Sequence, residues 1–461
     1  MNFLNRKDEI VILNRVLGPG GPKLVVVYGR RRLGKTRLLQ QVLKKDDIYF
    51  IADQRESALQ IESFARIIAA QIEAFDKVTY PDWESIFISL RQRIKNGITV
   101  FIDEFPYLVK NAPALPSIIQ KLVDSRESLG FHLVLCGSSQ LMMQRMVIGH
   151  NSPLYGRAHE IIKITPMNVY WLKQALNCSY AEAIEEFSVW GGVPRYWEIR
   201  NEAATLKEAI TRQIFNIHGV LHEEPQRLFL DDTRDAVQMH TLISVIATGA
   251  HRLSEISSRL GKPATQLNRP LQKLIELGYI KREIPWNLSI RNTKKTLYKI
   301  NDPFIHFYYR YVIPHKTTLE LGYVDQIYRN VFQNTFSDFC SEVWEEMCRR
   351  AIPCLFEKNI FEPGSRWWGT GINKQPIEID IVAQSFDKKK ILIGEAKWSS
   401  NRNIPAVIRQ LEQRAGELPF TQGKKVILAL FLKEKPQKDI PSNVLVFSPE
   451  DIVKTNAVSY R

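Results

Sequence analysis

The chain has no apolar run approaching the roughly 18 residues that a membrane span requires. Its start, Met1-Asn2-Phe3-Leu4-Asn5-Arg6, lacks the apolar core of a secretory signal. Cysteine is scarce: five in 461 residues, with no C-x-x-C pair. An odd, scattered set argues against a disulfide framework and for free thiols in a reducing compartment, so the expected location is cytoplasmic. Neither an internal repeat nor a low-complexity segment is present. Acidic residues fall short of basic ones, 49 Asp and Glu against 63 Lys and Arg, for a formal net charge of +14. That excess suits a polyanionic partner, most simply nucleic acid, although a generally basic surface would give the same count. Hydrophobic residues make up 44% and charged residues 24%, which suits a soluble globular chain of about three domains.

Against these absences one stretch stands out. Gly29-Arg30-Arg31-Arg32-Leu33-Gly34-Lys35-Thr36 fits the P-loop pattern G-x-x-x-x-G-K-[ST]. The apolar run Leu24–Tyr28 before it reads as a buried parallel strand, and Arg37–Leu43 after it reads as a helix. Glycines let the backbone curl so that its N–H groups face phosphate oxygens. Lys35 supplies a point charge to the β- and γ-phosphates, Thr36 a hydroxyl to Mg²⁺, and the helix N-terminus a partial positive charge. Residues 29–37, through Arg37, are therefore the expected nucleotide cradle. The side chains of Arg30, Arg31 and Arg32 are expected to point away from it as surface charge.

A second apolar strand, Ile98–Ile102, ends in Asp103-Glu104. A carboxylate at that position can hold Mg²⁺ directly or through water, which assigns Asp103; a neighbouring one can activate the attacking water, which assigns Glu104. A third strand, Phe131–Cys136, ends in Gly137-Ser138-Ser139. Ser138 is either a γ-phosphate sensor, an N-cap for a helix starting near Gln140, or both. In Ser152-Pro153-Leu154-Tyr155-Gly156-Arg157, Arg157 can stabilise transition-state charge in cis or from a neighbouring subunit, or form a surface salt bridge. If it works in trans, ATP binding brings copies of the chain together. A helical stretch from near Asn168 closes at the tight turn Trp190-Gly191-Gly192-Val193-Pro194-Arg195-Tyr196.

In this order, the motifs resemble the archaeal-type P-loop ATPases of the AAA+/STAND group over about the first 200 residues. The resemblance includes a short leading box, Phe3-Leu4-Asn5-Arg6-Lys7-Asp8-Glu9. In relatives this box and the G-G-x-P turn lie near the adenine, which implies Arg6 and Pro194 as nucleotide contacts.

Residues 236–312 change character. A helix over His240–Thr248, a second over Glu255–Leu260 capped by Ser254, a third rich in leucine ending at Gly278, and two short strands, 279–283 and 295–300, read as a winged helix-turn-helix. Pro270 requires the third helix to start near Asn268 or to kink. Gln266, Asn268, Arg269, Gln272 and Lys273 are candidates for a groove, and Lys281, Arg282, Arg291, Lys294 and Lys295 for phosphates. The resemblance equally implies a lid on the nucleotide site. The aromatic run 304–311 is expected in the core.

The tail carries a second constellation. Ile377–Ala383 and Lys390–Trp398 read as a hairpin in which Asp380 and Glu395 can share Mg²⁺ while Lys397 orients a water near a phosphodiester. This D…E-x-K arrangement resembles the PD-(D/E)XK restriction-endonuclease-like fold. That resemblance implies a glutamate on a preceding helix, Glu345 first and Glu342 second, and gives weaker support to Gln410. Arg366-Trp367-Trp368-Gly369 and Asp380–Ala383 match the domain that relatives append to this ATPase.

The expected architecture is α/β: a P-loop parallel-sheet core (1–165), a helical lid (166–235), a winged helix-turn-helix (236–312) and a restriction-endonuclease-like domain (313–461). The expected function is an ATP- and Mg²⁺-dependent switch acting on DNA, with no membrane partner. Its tail either cleaves DNA or holds it without cutting. The alternative is a regulatory switch whose inert tail binds a protein.

Overall fold

The computed structural model describes residues 3–455 apart from 96, 126–128, 151, 233–234, 290–292, 294, 357–359, 400–402 and 437–439. Arg291 and Lys294 thus lie outside the described residues. The chain divides into two compact units, Met1–Pro166 with Leu228–Arg234, and Met167–Arg227 with Asp235–Arg461. Among the described residues, no helix is long and apolar enough to cross a membrane. All five cysteines are free thiols.

The first unit is built on a parallel sheet of β1 (Leu24–Tyr28), β2 (Ile48–Ile51), β3 (Thr99–Asp103), β4 (His132–Gly137) and β5 (Glu160–Lys163), in spatial order β2-β3-β4-β1-β5. Every residue of β1, β3 and β4 is buried. This is why these strands read as continuous apolar runs: helices cover both faces of a parallel sheet. The order has a chemical consequence. β4 lies between β1 and β3 in parallel register, so the end of β4 emerges between the loop after β1 and the acidic pair after β3.

The second unit begins with two helices, Val169–Leu176 and Tyr180–Trp190, where one stretch from Asn168 was expected. Asn177 in the left-handed region ends the first, and a reciprocal Ser179–Glu182 capping box starts the second. Further along the chain come three helices, Ala236–Ala247, Leu253–Leu260 and Ala264–Glu276, then an antiparallel pair, β6 (Ile280–Glu283) and β7 (Leu297–Ile300). Two expectations are corrected. Ser254 is not the cap: the helix starts at Leu253, and Arg252 holds the N-cap position. The third helix starts at Ala264, not near Asn268, and runs through Pro270. Its apolar face, Leu267, Leu271 and Leu274, is buried, so packing outweighs the one hydrogen bond the proline removes.

The same unit ends in a mixed sheet of β8 (Ser365–Thr370), β9 (Pro376–Gln384), β10 (Lys390–Lys397), β11 (Lys425–Leu432) and β12 (Val444–Phe447), ordered β12-β11-β10-β9-β8. β9 and β10 form the expected hairpin, paired through Gly394↔Ile381. The 23-residue helix Gln333–Leu355 packs on β9 and β10 and buries Trp344 against Trp398. The aromatic run is core, as its spacing suggested: Phe304, Phe307, Tyr308, Tyr309 and Tyr311 are all buried in the helix Pro303–Tyr311.

The β6–β7 pair is fastened to this sheet. Lys281 pairs with Glu346 of the long helix at 2.6 Å, and Glu283 with Lys299 at 3.1 Å and Arg349 at 3.7 Å. Trp286, in the connection, packs on Phe420 with ring centroids 4.8 Å apart, and its backbone N–H donates to Arg366 O at 2.9 Å. Phosphate-facing roles for Lys281 and Arg282 are therefore corrected. Lys281 is held internally, and Arg282 lies over the Tyr298 ring while donating to Gln272. Lys273 likewise pairs with Asp235. Gln266, Asn268, Arg269 and Lys295 stay exposed.

Candidate functional sites

β1 delivers the chain into a loop that its residues could form in few other ways. Gly29 has φ 155°, and a Cβ there would strike the carbonyl of Ile164 just beyond β5. Gly34, with φ 86°, starts the helix Lys35–Val42. Between them Leu33 is buried, and Arg32 takes the left-handed conformation at φ 67°. The Lys35 ammonium is folded over the loop, donating to Gly29 O at 2.9 Å and Arg30 O at 3.1 Å. Both acceptors are carbonyls of the loop itself. Arg31 and Arg37 are exposed, but Arg30 is only 5% exposed and Arg32 is half-buried. This corrects the reading of all three loop arginines as surface charge.

Arg6 is 4% exposed. Its guanidinium donates to Thr165 O at 2.7 Å and Leu33 O at 3.4 Å and pairs with Glu9. It ties the leading box to the cradle and to the chain after β5. Pro194 belongs to the second unit, where it occupies the first turn of the helix Pro194–Arg200. The turn before it is fixed by Gly191 at φ 59°, ψ −155° and by Trp197 Nε1 donating to Gly191 O.

The acidic pair sits where the sheet order puts it. Asp103, 2% exposed, accepts from Thr36 Oγ1 at 2.6 Å and Tyr49 OH at 2.8 Å through one oxygen, and from the Glu104 N–H at 2.9 Å through the other. Thr36, Asp103 and the cradle are thus brought together. These oxygen donors suit a hard cation such as Mg²⁺: a hydroxyl that points its proton at Asp103 keeps a lone pair for a metal. Glu104 is held with φ 54°, in the left-handed region that non-glycine residues seldom take. Its carboxylate accepts from Ser138 Oγ at 2.7 Å. Ser138 therefore directs its hydroxyl at the candidate base, while Ser139 occupies the N-cap of the helix Gln140–Met143 with no capping bond from its side chain. In this single chain Arg157 forks onto Asp124, with N···O distances of 2.7–2.9 Å.

In the C-terminal sheet, Asp380 on β9 and Glu395 and Lys397 on β10 converge. Lys397 Nζ lies 2.5 Å from Glu395 Oε1 and 3.5 Å from Asp380 Oδ2, and the Ala396 N–H donates to Asp380 Oδ2 at 3.0 Å. Glu345 joins them from the long helix. Burial and the charge of Asp380 push its carboxyl up to about 7. The same two causes raise that of Glu395. Glu342 instead pairs with Arg310 on an exposed face, and Gln410 is exposed. Two carboxyls raised by the charge of a third suit a hard cation, which would relieve that repulsion. Among the described residues, however, no group of three or more His, Cys, Asp and Glu is close enough to hold a metal.

Three residues at these sites escaped the sequence reading. Tyr49 sits in a strand whose tyrosine looks like any other strand aromatic. Arg349, buried one turn after Glu345, donates to the Asp380 carbonyl at 3.0 Å and pairs with Glu345 at 3.5 Å and Glu346 at 3.3 Å. Arg414 reaches Glu395 at 3.4 Å from the helix Ile404–Gly416. The i, i+4 spacing of Glu345 and Arg349 was the only sequence signal for any of them.

Residues 3–196 match a family described as an ATPase domain predominantly from Archaea. Residues 308–408 match one described as archaeal and bacterial proteins of unknown function. An uncharacterized protein of Methanocaldococcus jannaschii is 30% identical over 422 residues, covering 90% of this chain and 92% of its own. An uncharacterized ATP-binding protein of the same organism is 41% identical over 46 residues, 10% of this chain and 78% of its own. Among solved structures, a Walker-type ATPase of Pyrococcus abyssi aligns over 67% of this chain and 96% of its own, with a TM-score of 0.52 and 19% identity.

Proposed function

The chain belongs to the ATPase family found predominantly in Archaea, and we propose that it is an ATP-hydrolysing switch whose C-terminal domain acts on DNA. The observation carrying the ATPase reading is the preassembled contact of Thr36 with Asp103 beside the Lys35 cradle. Thr36 and Asp103 would hold Mg²⁺, which when bound neutralises charge on the phosphate oxygens. Lys35 would leave its two loop carbonyls for the β- and γ-phosphates. Glu104 would take the proton of the attacking water, and Ser138, already bonded to Glu104, would orient that carboxylate and meet the γ-phosphate. Arg6 would act from beneath, as a brace for the loop. Arg157 would serve a neighbouring copy only after leaving Asp124.

For the second unit the reading is a winged helix with a nuclease-like domain. Glu345, Asp380, Glu395 and Lys397 would form its cutting site, and the exposed residues Gln266, Asn268 and Arg269 would face DNA. The inert alternative has its own support: Lys397 and Arg414 already pair with Glu395, Lys397 with Asp380, and Arg349 with Glu345. Hydrolysis of ATP by wild type, Lys35→Ala and Glu104→Gln tests the ATPase half. Loss of ATP binding is expected in the first variant; in the second, binding is retained while kcat falls about a hundredfold or more. Equal turnover in all three would overturn the assignment.

A further inference from the structure

Tyr49 is on β2, two residues before Ile51, which is the register partner of Asp103 on β3. Tyr49 and Asp103 therefore share one face of the sheet as diagonal neighbours. The phenol donates to Asp103 Oδ2 at 2.8 Å, the same oxygen that takes the Thr36 proton at 2.6 Å. The Glu104 N–H takes the other oxygen at 2.9 Å. A carboxylate has about four lone-pair sites, and three are filled by donors from this chain.

We propose that Tyr49 is a positioning residue for the nucleotide-bound cation: it pins the Asp103 carboxylate so that Asp103 reaches the metal through water, while Thr36 offers its hydroxyl oxygen directly. A carboxylate oxygen receiving two short hydrogen bonds is a poor inner-sphere ligand, because both donors must move before a cation can take their place. A hydroxyl whose proton is fixed on Asp103 presents its lone pairs elsewhere. Without the phenol, Asp103 would be free to rotate, and the Thr36 proton would lose its fixed acceptor. No residue type in the P-loop pattern or the acidic pair encodes this contact; only pairing of β2 with β3 creates it.

The inference rests on the nucleotide reading above, and its test separates the two. Equilibrium binding of a fluorescent ATP analogue to the full chain would be measured in EDTA and across a Mg²⁺ titration, for wild type and Tyr49→Phe. The phenylalanine keeps the ring packed beside Phe101, 5.9 Å away between centroids, and removes only the hydroxyl. The expected result is unchanged affinity in EDTA and an unchanged unfolding midpoint, with about tenfold more Mg²⁺ needed for half-maximal enhancement of binding, the scale of one hydrogen bond to a charged group. An identical Mg²⁺ dependence in both proteins would overturn the role of Tyr49. So would an equal loss of binding in EDTA, which marks a purely structural residue. If wild type itself shows no Mg²⁺-dependent binding, the nucleotide reading falls instead.

Discussion

At the scale of single residues, the two sites place charge where few alternatives exist. Glu104 adopts a left-handed backbone that places its carboxylate against Ser138, and such local strain is retained only where the surroundings over-determine it. Asp103 is buried yet satisfied by three donors, which is why a lone carboxylate is tolerated at the end of an apolar strand. His306 shows the same physics away from either site. Burial against Phe339 holds its imidazole down at about 4. Arg310, His251 and Lys299 lower it further, and Glu342 alone opposes them. A folded value depressed below the unfolded 6.5 means that stability is fully present above pH 6.5 and is lost as pH falls toward 4. Replacing His306 with Gln is expected to flatten this acid limb by about 2–3 kcal/mol between pH 7 and 4. Urea unfolding across that range checks it, and parallel pH profiles for both proteins would contradict it.

At the scale of elements, β6 and β7 have the shape of a wing but not its freedom. Lys281, Glu283 and Trp286 are used to fasten the pair to the long helix, to β7 and to the C-terminal sheet. Gln266, Asn268 and Arg269, on the helix Ala264–Glu276, remain exposed, and it is they that the DNA reading proposed above depends on. The two kinds of residue therefore respond differently. Arg269→Glu is expected to weaken duplex binding and reduce the salt slope by about one, with the fold intact. Lys281→Glu is expected to lower stability by about 3 kcal/mol, because it sets a second carboxylate against Glu346 in a half-buried site. Duplex titrations at two salt concentrations, paired with thermal unfolding, distinguish the outcomes. A stable Lys281→Glu protein with a reduced salt slope would restore the wing as a phosphate contact.

At the scale of the whole molecule, one unit holds the nucleotide constellation and the other holds the Asp380 site, so each can be disabled separately. With DNA and Mg²⁺, wild type is expected to nick in an ATP-dependent way. Asp380→Ala is expected to cut at least a hundredfold more slowly, and Lys35→Ala to lose the response to ATP while keeping any basal cutting. Equal cutting by wild type and Asp380→Ala, or none by either, would remove the nuclease reading and favour the inert tail. The sequence by itself determined the elements whose chemistry is local. The buried strands, the glycines of the cradle, and Lys35, Thr36, Asp103 and Glu104 were legible because apolar runs, tight turns and strand ends impose residue types at fixed spacing. The β9–β10 hairpin was legible for the same reason. What only tertiary structure decided was which distant groups share those sites. Tyr49 meets Asp103 across 54 positions, Ser138 meets Glu104 across 34, and Arg349 meets Asp380 across 31. Strand order and helix docking set these contacts, and one-dimensional periodicity carries no record of either. The basic residues of β6 make the same point in reverse. As a sequence, Lys281 and Arg282 are charges seeking a phosphate; in the fold, Lys281 closes on a carboxylate of the long helix and Arg282 on a ring and an amide within its own module.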